Sequence, residues 1–143
     1  MTKKTILFVC THNSARSQMA EGLVNALYGD QYEAYSAGIE PFQVNPFAID
    51  VMKEIGIDIS RHESKSVEQF LDQEIDCVIT VCDHANEMCP FFPGGKKRVH
   101  KGFQDPTAVT GSGEDKRIAF RRTRDEIRRW LDQELQKICL GPK

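Results

Sequence analysis

No stretch of this 143-residue sequence approaches the roughly 18 consecutive apolar residues that a membrane span needs. Met1-Thr2-Lys3-Lys4 leads only into the short apolar run Ile6 to Cys10, so neither a transmembrane helix nor a signal peptide is expected. An excess of one charge is lacking too. The 19 basic residues face 21 acidic ones, a formal net charge of -2 that argues against a general nucleic-acid binder. No internal repeat and no linker interrupts the chain. An even set of cysteines is also missing: the five, Cys10, Cys77, Cys82, Cys89 and Cys139, suit reactive or buried thiols in the cytoplasm better than a secreted disulfide framework. What remains is one domain over residues 1–143, long enough to bury roughly 68–70% of its unfolded surface without staples, and a monomer is the expectation without any residue that fixes the oligomeric state.

Strand and helix signals alternate along it. Thr5 to Val9 is a continuous apolar, partly β-branched run, as expected of a strand buried on both faces. Met19, Ala20, Leu23, Val24 and Leu27 recur at helical spacing, which predicts a helix over 16–28 with Gly29 as its stop. Residues 33–37 read as a short strand ending at Gly38. Asn45-Pro46 opens a second helix that Gly56 ends. Ser64 or Ser66 caps a short helix over 67–71, residues 76–81 read as another buried strand, and 97–100 as one more. Residues 102–114 lack an apolar period and read as a surface loop. Ile118, Phe120, Ile127, Trp130, Leu131, Leu135 and Ile138 then mark a long amphipathic helix stopping near Gly141-Pro142, and Arg121 to Arg124 read as its solvated face. The expected fold is α/β: one three-layer α/β/α domain whose central parallel sheet has about four strands and binds ligands at its carboxyl edge.

The richest chemistry lies in Cys10-Thr11-His12-Asn13-Ser14-Ala15-Arg16-Ser17, between the first strand and the first helix. Five residues separating Cys10 from Arg16 let a loop curl round a tetrahedral oxyanion, with backbone N–H groups turned inward and the helix N-terminus adding partial positive charge. Arg16 completes the cradle, since a guanidinium can donate two parallel hydrogen bonds to two anion oxygens. The same field favours a thiolate at Cys10, a ready nucleophile. Asn13, Ser14 and Ser17 add polar groups that hold the loop.

Two further places suit that chemistry. Asp105-Pro106 lies in the late polar loop, where a carboxyl group aimed at the anion would protonate a leaving oxygen, although an Asp-Pro pair alone is only a turn signal. Cys82 ends a predicted strand as Cys10 does, and Cys89 follows in the same loop. Two thiols supply two electrons by becoming a disulfide. The alternatives are a buried structural pair or a zinc site completed by His84 or His100, against which the six intervening residues exceed the two to four usual in a zinc knuckle. Cys77 and Cys139 read as small buried apolar residues.

The Cys10–Ser17 stretch resembles the phosphate-binding loop of the low-molecular-weight protein tyrosine phosphatases and of the thioredoxin-coupled arsenate reductases built on the same fold. The likeness extends through residues 18–22, Tyr35 to Gly38, Val44 to Pro46 and 124–127. Both families place an Asp-Pro general acid where Asp105 stands. In the phosphatases tyrosines usually follow it and wall in an aromatic substrate, whereas here Thr107-Ala108-Val109 follow. Residues 81–90 resemble the redox segment of the arsenate reductases, which the phosphatases lack. The resemblance therefore implies an arsenate reductase: Cys10 forms a thiol-arsenate adduct, Cys82 and Cys89 complete a thiol–disulfide relay, and thioredoxin regenerates the pair. Phosphate and sulfate are expected as competing anions, and no cofactor or metal is implied. Gly94-Gly95 would let the 82–93 loop move. A phosphatase using only Cys10, Arg16 and Asp105, or a non-catalytic oxyanion sensor, is the alternative. His12 stands where these families usually have glycine. Lys65 stands where some members place a carboxylate that binds potassium beside groups matching Asn13, Glu21 and Ser36, so an ammonium is expected to replace the ion.

Overall fold

The apolar run at the start of the chain forms β1 (Lys4–Cys10), in which Ile6, Leu7, Phe8 and Val9 are almost fully excluded from solvent. Only a strand with neighbours on both sides and helices on both faces reaches such burial. β1 pairs in parallel with β2 (Tyr32–Gly38) on one side and β3 (Cys77–Thr80) on the other, and β4 (Arg98–His100) pairs in parallel with β3, giving the order β2-β1-β3-β4. The computed structural model describes residues 3–139. The Gly141-Pro142 stop lies outside them, as does the side chain of Cys139. Among the described residues no helix is long and apolar enough to cross a membrane.

Among the described residues four α-helices flank the sheet: α1 (Arg16–Leu27), α2 (Pro46–Lys53), α3 (Asp83–Met88) and α4 (Gly113–Cys139). α1 begins six residues after β1 ends, and its Met19, Ala20, Leu23 and Val24 are buried. Asn45 caps α2 by accepting the Phe47 N–H at 2.8 Å, with Pro46 in the first turn. Gly56, beyond that helix, adopts φ 80°, which favours glycine. The predicted helix at 67–71 is a 3-10 turn, Val67–Phe70, capped by Ser66. Phe120, Ile127, Leu131 and Leu135 form the buried stripe of α4, while Ile118, expected on that stripe, is 46% exposed.

Three further sequence expectations change. The stretch after Val81 is not plain loop: it holds α3, too short to show a period, whose N-cap is the Cys82 sulfur accepting the Ala85 N–H at 3.4 Å. α4 starts at Gly113, ahead of its apolar residues, because Ser112 and Asp115 form a reciprocal capping box, each backbone N–H donating to the other's side chain at 3.0 and 3.1 Å. Lastly, Arg121 to Arg124 is not simply a solvated face. Arg124 is buried and donates to the Val51 carbonyl at 2.7 Å and to Glu54 at 3.1 Å, while Arg121 takes both oxygens of the same carboxylate. These two arginines bolt α4 to the end of α2.

Candidate active site

Parallel pairing puts the ends of β1 and β3 side by side: Val9 is level with Thr80, and the Val81 N–H donates to the Val9 carbonyl at 2.9 Å. Cys10 and Cys82 therefore leave the same edge of the sheet, the place where an open parallel sheet binds its ligand. Thr11 Oγ1 and Cys82 Sγ are 3.3 Å apart, so the hydroxyl of the residue after Cys10 touches the Cys82 thiol.

The loop from Cys10 to Arg16 is held from behind. Ile39, Glu40, Phe42 and Asn45 donate backbone N–H groups to the carbonyls of Cys10, Thr11, His12 and Ser14 at 2.8–3.2 Å. Each carbonyl is antiparallel to the N–H that follows it in a trans peptide, so those N–H groups turn away from the backing segment. Gly38 permits this close approach, because a Cβ there would sit 2.8 Å from Asn13 N and 2.9 Å from Thr11 O. Asn13 takes the left-handed φ of 51° and is fully buried. Its strain is compensated by its partners: the side-chain oxygen accepts from Lys65 N and Gln18 Nε2, and its carbonyl accepts from Ser64 Oγ and Gln18 Nε2. Asn13 Nδ2 donates to Ser17 Oγ, which in turn lies 2.8 Å from Cys10 Sγ.

A cavity of about 140 Å³ opens above the loop, lined by Cys10, Thr11, His12, Ser14, Ala15, Arg16, Asp105 and Thr107. That is room for a tetrahedral oxyanion, with a buried sulfur at its floor and a guanidinium at its side. Arg16 Nη1 donates to the Phe103 carbonyl at 3.0 Å, and Nη2 lies 3.6 Å from Asp105 Oδ2. Phe103 packs edge-on against Trp130 of α4, with ring centroids 6.1 Å apart. The last helix thus steadies the arginine through a backbone carbonyl, a role without any local sequence signal. His12 donates from Nδ1 to the Glu40 carbonyl at 3.0 Å and stands at the mouth of the cavity.

Lys65 faces the carboxylate expected of it: Nζ is 4.0 Å from Glu21 Oε1 and donates to the Glu63 carbonyl at 3.0 Å. Ser36 donates to the same Glu21 oxygen, and His62 Nδ1 lies 3.7 Å from the other. The ammonium sits within the set of groups that the resemblance associates with potassium.

Cys82 and Cys89 stand at opposite ends of α3, and both are buried, free thiols. Burial pushes the Cys89 thiol up from its ordinary range, opposed by the charge of Arg98. α3 is tied down along its length. Arg98 donates to the carbonyls of Asn86 at 2.8 Å and Cys89 at 3.4 Å, Thr80 donates to the Asn86 side chain, and His100 bridges Thr80 Oγ1 and Asp83 Oδ1 at 2.9 and 3.0 Å. Here His100 is engaged away from both sulfurs, and among the described residues no His, Cys, Asp and Glu cluster suited to a metal occurs. Gly94-Gly95 is pinned: Gly94 O and Lys96 N both bond Ile75, and a Cβ on Gly94 would collide with the Gln73 carbonyl. That pair serves close packing, which does not suit the mobility expected of it.

Known proteins resemble this chain in sequence and fold. Residues 5–139 match the model of the low molecular weight phosphotyrosine protein phosphatase family. The arsenate reductase of Halalkalibacterium halodurans is 54% identical over 127 residues, which cover 89% of this chain and 91% of that protein. Among solved structures, an arsenate reductase in the phosphate-binding state superposes with a TM-score of 0.80 at 32% identity, over 94% of this chain and 98% of that one. A thioredoxin-dependent arsenate reductase of Corynebacterium glutamicum gives 0.69 at 25% identity, over 98% of this chain and 64% of that one. The chain belongs to the low molecular weight phosphotyrosine protein phosphatase family, within which it is an arsenate reductase.

Proposed function

We propose that this arsenate reductase works through Cys10, Cys82 and Cys89 in turn, with Arg16 and the loop N–H groups holding the anion and Asp105 as the acid. The thiolate of Cys10 attacks arsenic, an S–As bond forms, and one As–O bond breaks. The departing oxygen leaves as water with a proton from Asp105. Cys82 then attacks the Cys10 sulfur; the S–As electron pair passes to arsenic, and arsenite leaves as a Cys10–Cys82 disulfide forms. Cys89 attacks Cys82 and frees Cys10. Arsenic gains two electrons, and the Cys82–Cys89 pair loses them.

The observation that carries the reading is the contact of Cys82 Sγ with Thr11 Oγ1 at 3.3 Å, one residue from the nucleophile. A phosphatase needs no second thiol at that place, and among the described residues no tyrosine, phenylalanine or tryptophan lines the cavity. The last step requires a change of shape. Seven residues at helical rise separate the Cα atoms of Cys82 and Cys89 by about 10 Å, beyond the roughly 7 Å that a disulfide spans, so α3 must unwind before the pair can close. Unwinding brings the disulfide toward the surface, where an external dithiol protein of the thioredoxin class reduces it. Phosphate and sulfate compete for the same cradle. The protein acts as a monomer, and its need for reducing equivalents suits the cytoplasm.

The test is arsenate-dependent NADPH consumption with thioredoxin and thioredoxin reductase. Wild type is expected to turn over repeatedly, and Cys10→Ser, Cys82→Ser and Cys89→Ser each to lose multiple turnover. Sustained turnover by Cys82→Ser or Cys89→Ser would remove the relay and leave a single-thiol mechanism.

A further inference from the structure

We propose that Thr107 is the positioning residue of the acid: its hydroxyl locks the Asp105 carboxyl so that Oδ2 faces Arg16 and the cavity, a proposal that rests on the arsenate-reducing mechanism above. Asp105 Oδ1 accepts two hydrogen bonds from Thr107, the backbone N–H at 2.9 Å and the hydroxyl at 2.7 Å. A single N–H contact would leave the carboxyl plane free to turn, because the terminal torsion of aspartate is broad and nearly two-fold. Two donors on one oxygen, arriving from different atoms, remove that freedom. The need is real, since the Asp105 side chain is 43% exposed and the Arg16 contact, at 3.6 Å, is too long to orient it.

With Oδ1 occupied, Oδ2 is the oxygen left to carry the proton. It lies on the Arg16 side, and Arg16, Asp105 and Thr107 all line the cavity. In the step concerned the Cys10 thiolate forms its bond to arsenic, the As–O bond breaks, and the proton on Oδ2 passes to the departing hydroxyl, which leaves as water. Asp105 ends as a carboxylate and Thr107 keeps its proton throughout. Thr107 therefore acts on the transfer without touching the anion. A simple turn-forming role would need only the backbone N–H, which any residue except proline provides.

The experiment is one turnover of the fully reduced full-length protein, without thioredoxin, read as the rate of arsenite release over a range of arsenate concentrations. Thr107→Val retains the backbone bond and the side-chain volume but loses the hydroxyl. It is expected to slow release about 10-fold at saturating arsenate with the half-saturating concentration unchanged, and Thr107→Ser is expected to restore the rate. In an Asp105→Asn background, Thr107→Val should cost nothing further. Wild-type rates for Thr107→Val overturn the proposal. So does a change confined to half-saturation, which would put the hydroxyl on the anion, or an equal loss in the Asp105→Asn background, which would make the effect structural. A wild type that releases no arsenite overturns the three-thiol mechanism itself, and this proposal with it.

Discussion

Asn13 Nδ2 donates to Ser17 Oγ at 2.8 Å, and that donation decides where the single Ser17 proton goes. With one lone pair of its oxygen engaged, the hydroxyl is left to donate to Cys10 Sγ, 2.8 Å away. A hydrogen bond to a charged sulfur stabilises the thiolate more than the thiol. Ser17→Ala is expected to slow alkylation of Cys10 by iodoacetamide at neutral pH about 10-fold, equivalent to about 1.4 kcal/mol. Mass spectrometry of the Cys10 peptide checks it, and an unchanged rate would show that the loop amides alone hold the charge.

Because Cys89 is buried and its thiol is pushed up, its reactivity reports how often α3 opens. His100→Phe keeps a ring at β4 but removes the bonds to Thr80 and Asp83. Alkylation of Cys89 in the reduced protein is expected to rise about 5-fold, the effect of losing about 1 kcal/mol of restraint. Stopped-flow mixing with a maleimide gives the rate; no acceleration would place the restraint in Arg98 instead.

The ammonium of Lys65 stands 4.0 Å from Glu21. Turnover is therefore expected to be equal in sodium and potassium buffers of the same ionic strength. Marked activation by potassium would show that the lysine does not do the ion's work.

Hydrogen bonds from Arg121 hold the Glu54 carboxyl below the usual carboxylate range, with Arg124 adding to them. A carboxyl whose folded-state value is depressed contributes stability that is present above its unfolded value and is lost as pH falls through the folded one. From roughly pH 4.3 downward the protein should lose this contribution. Glu54→Gln is expected to cost about 1 kcal/mol at neutral pH, discounted for exposure, and to converge with wild type in acid. Arg124→Ala is expected to cost more, about 2 kcal/mol, because the Val51 carbonyl also loses its donor. Urea unfolding at a series of pH values separates the two.

The oxyanion loop was legible because all its parts lie within eight residues of one another and its flanking strand and helix carry strong apolar periods. The parallel sheet of about four strands also followed, since strands alternating with helices imply parallel pairing, whereas the order of the strands was not legible. α3 was not legible: six residues hold less than two turns, and its cap is a sulfur, which no capping rule includes. Arg124 was misread because its partner Glu54 is 70 positions away, and nothing in a run of arginines says which one turns inward. Thr107 was noticed only for the tyrosine it is not. Its hydroxyl gains meaning once the Asp105 oxygens can be told apart, which takes coordinates.

In the proposed relay the helix between Cys82 and Cys89 opposes closure of the disulfide and favours its reduction. Closing the proposed disulfide would melt α3 and break its ties to Arg98, Thr80 and His100, so the oxidised protein would be wound up against its own folding. When a reductant opens the disulfide, the segment springs back and recovers those contacts, and that recovery adds to the driving force of reduction. On that proposal the pair is expected to be a stronger oxidant than the same two cysteines in a slack loop, and the far-ultraviolet helix signal is expected to fall on oxidation and return on reduction.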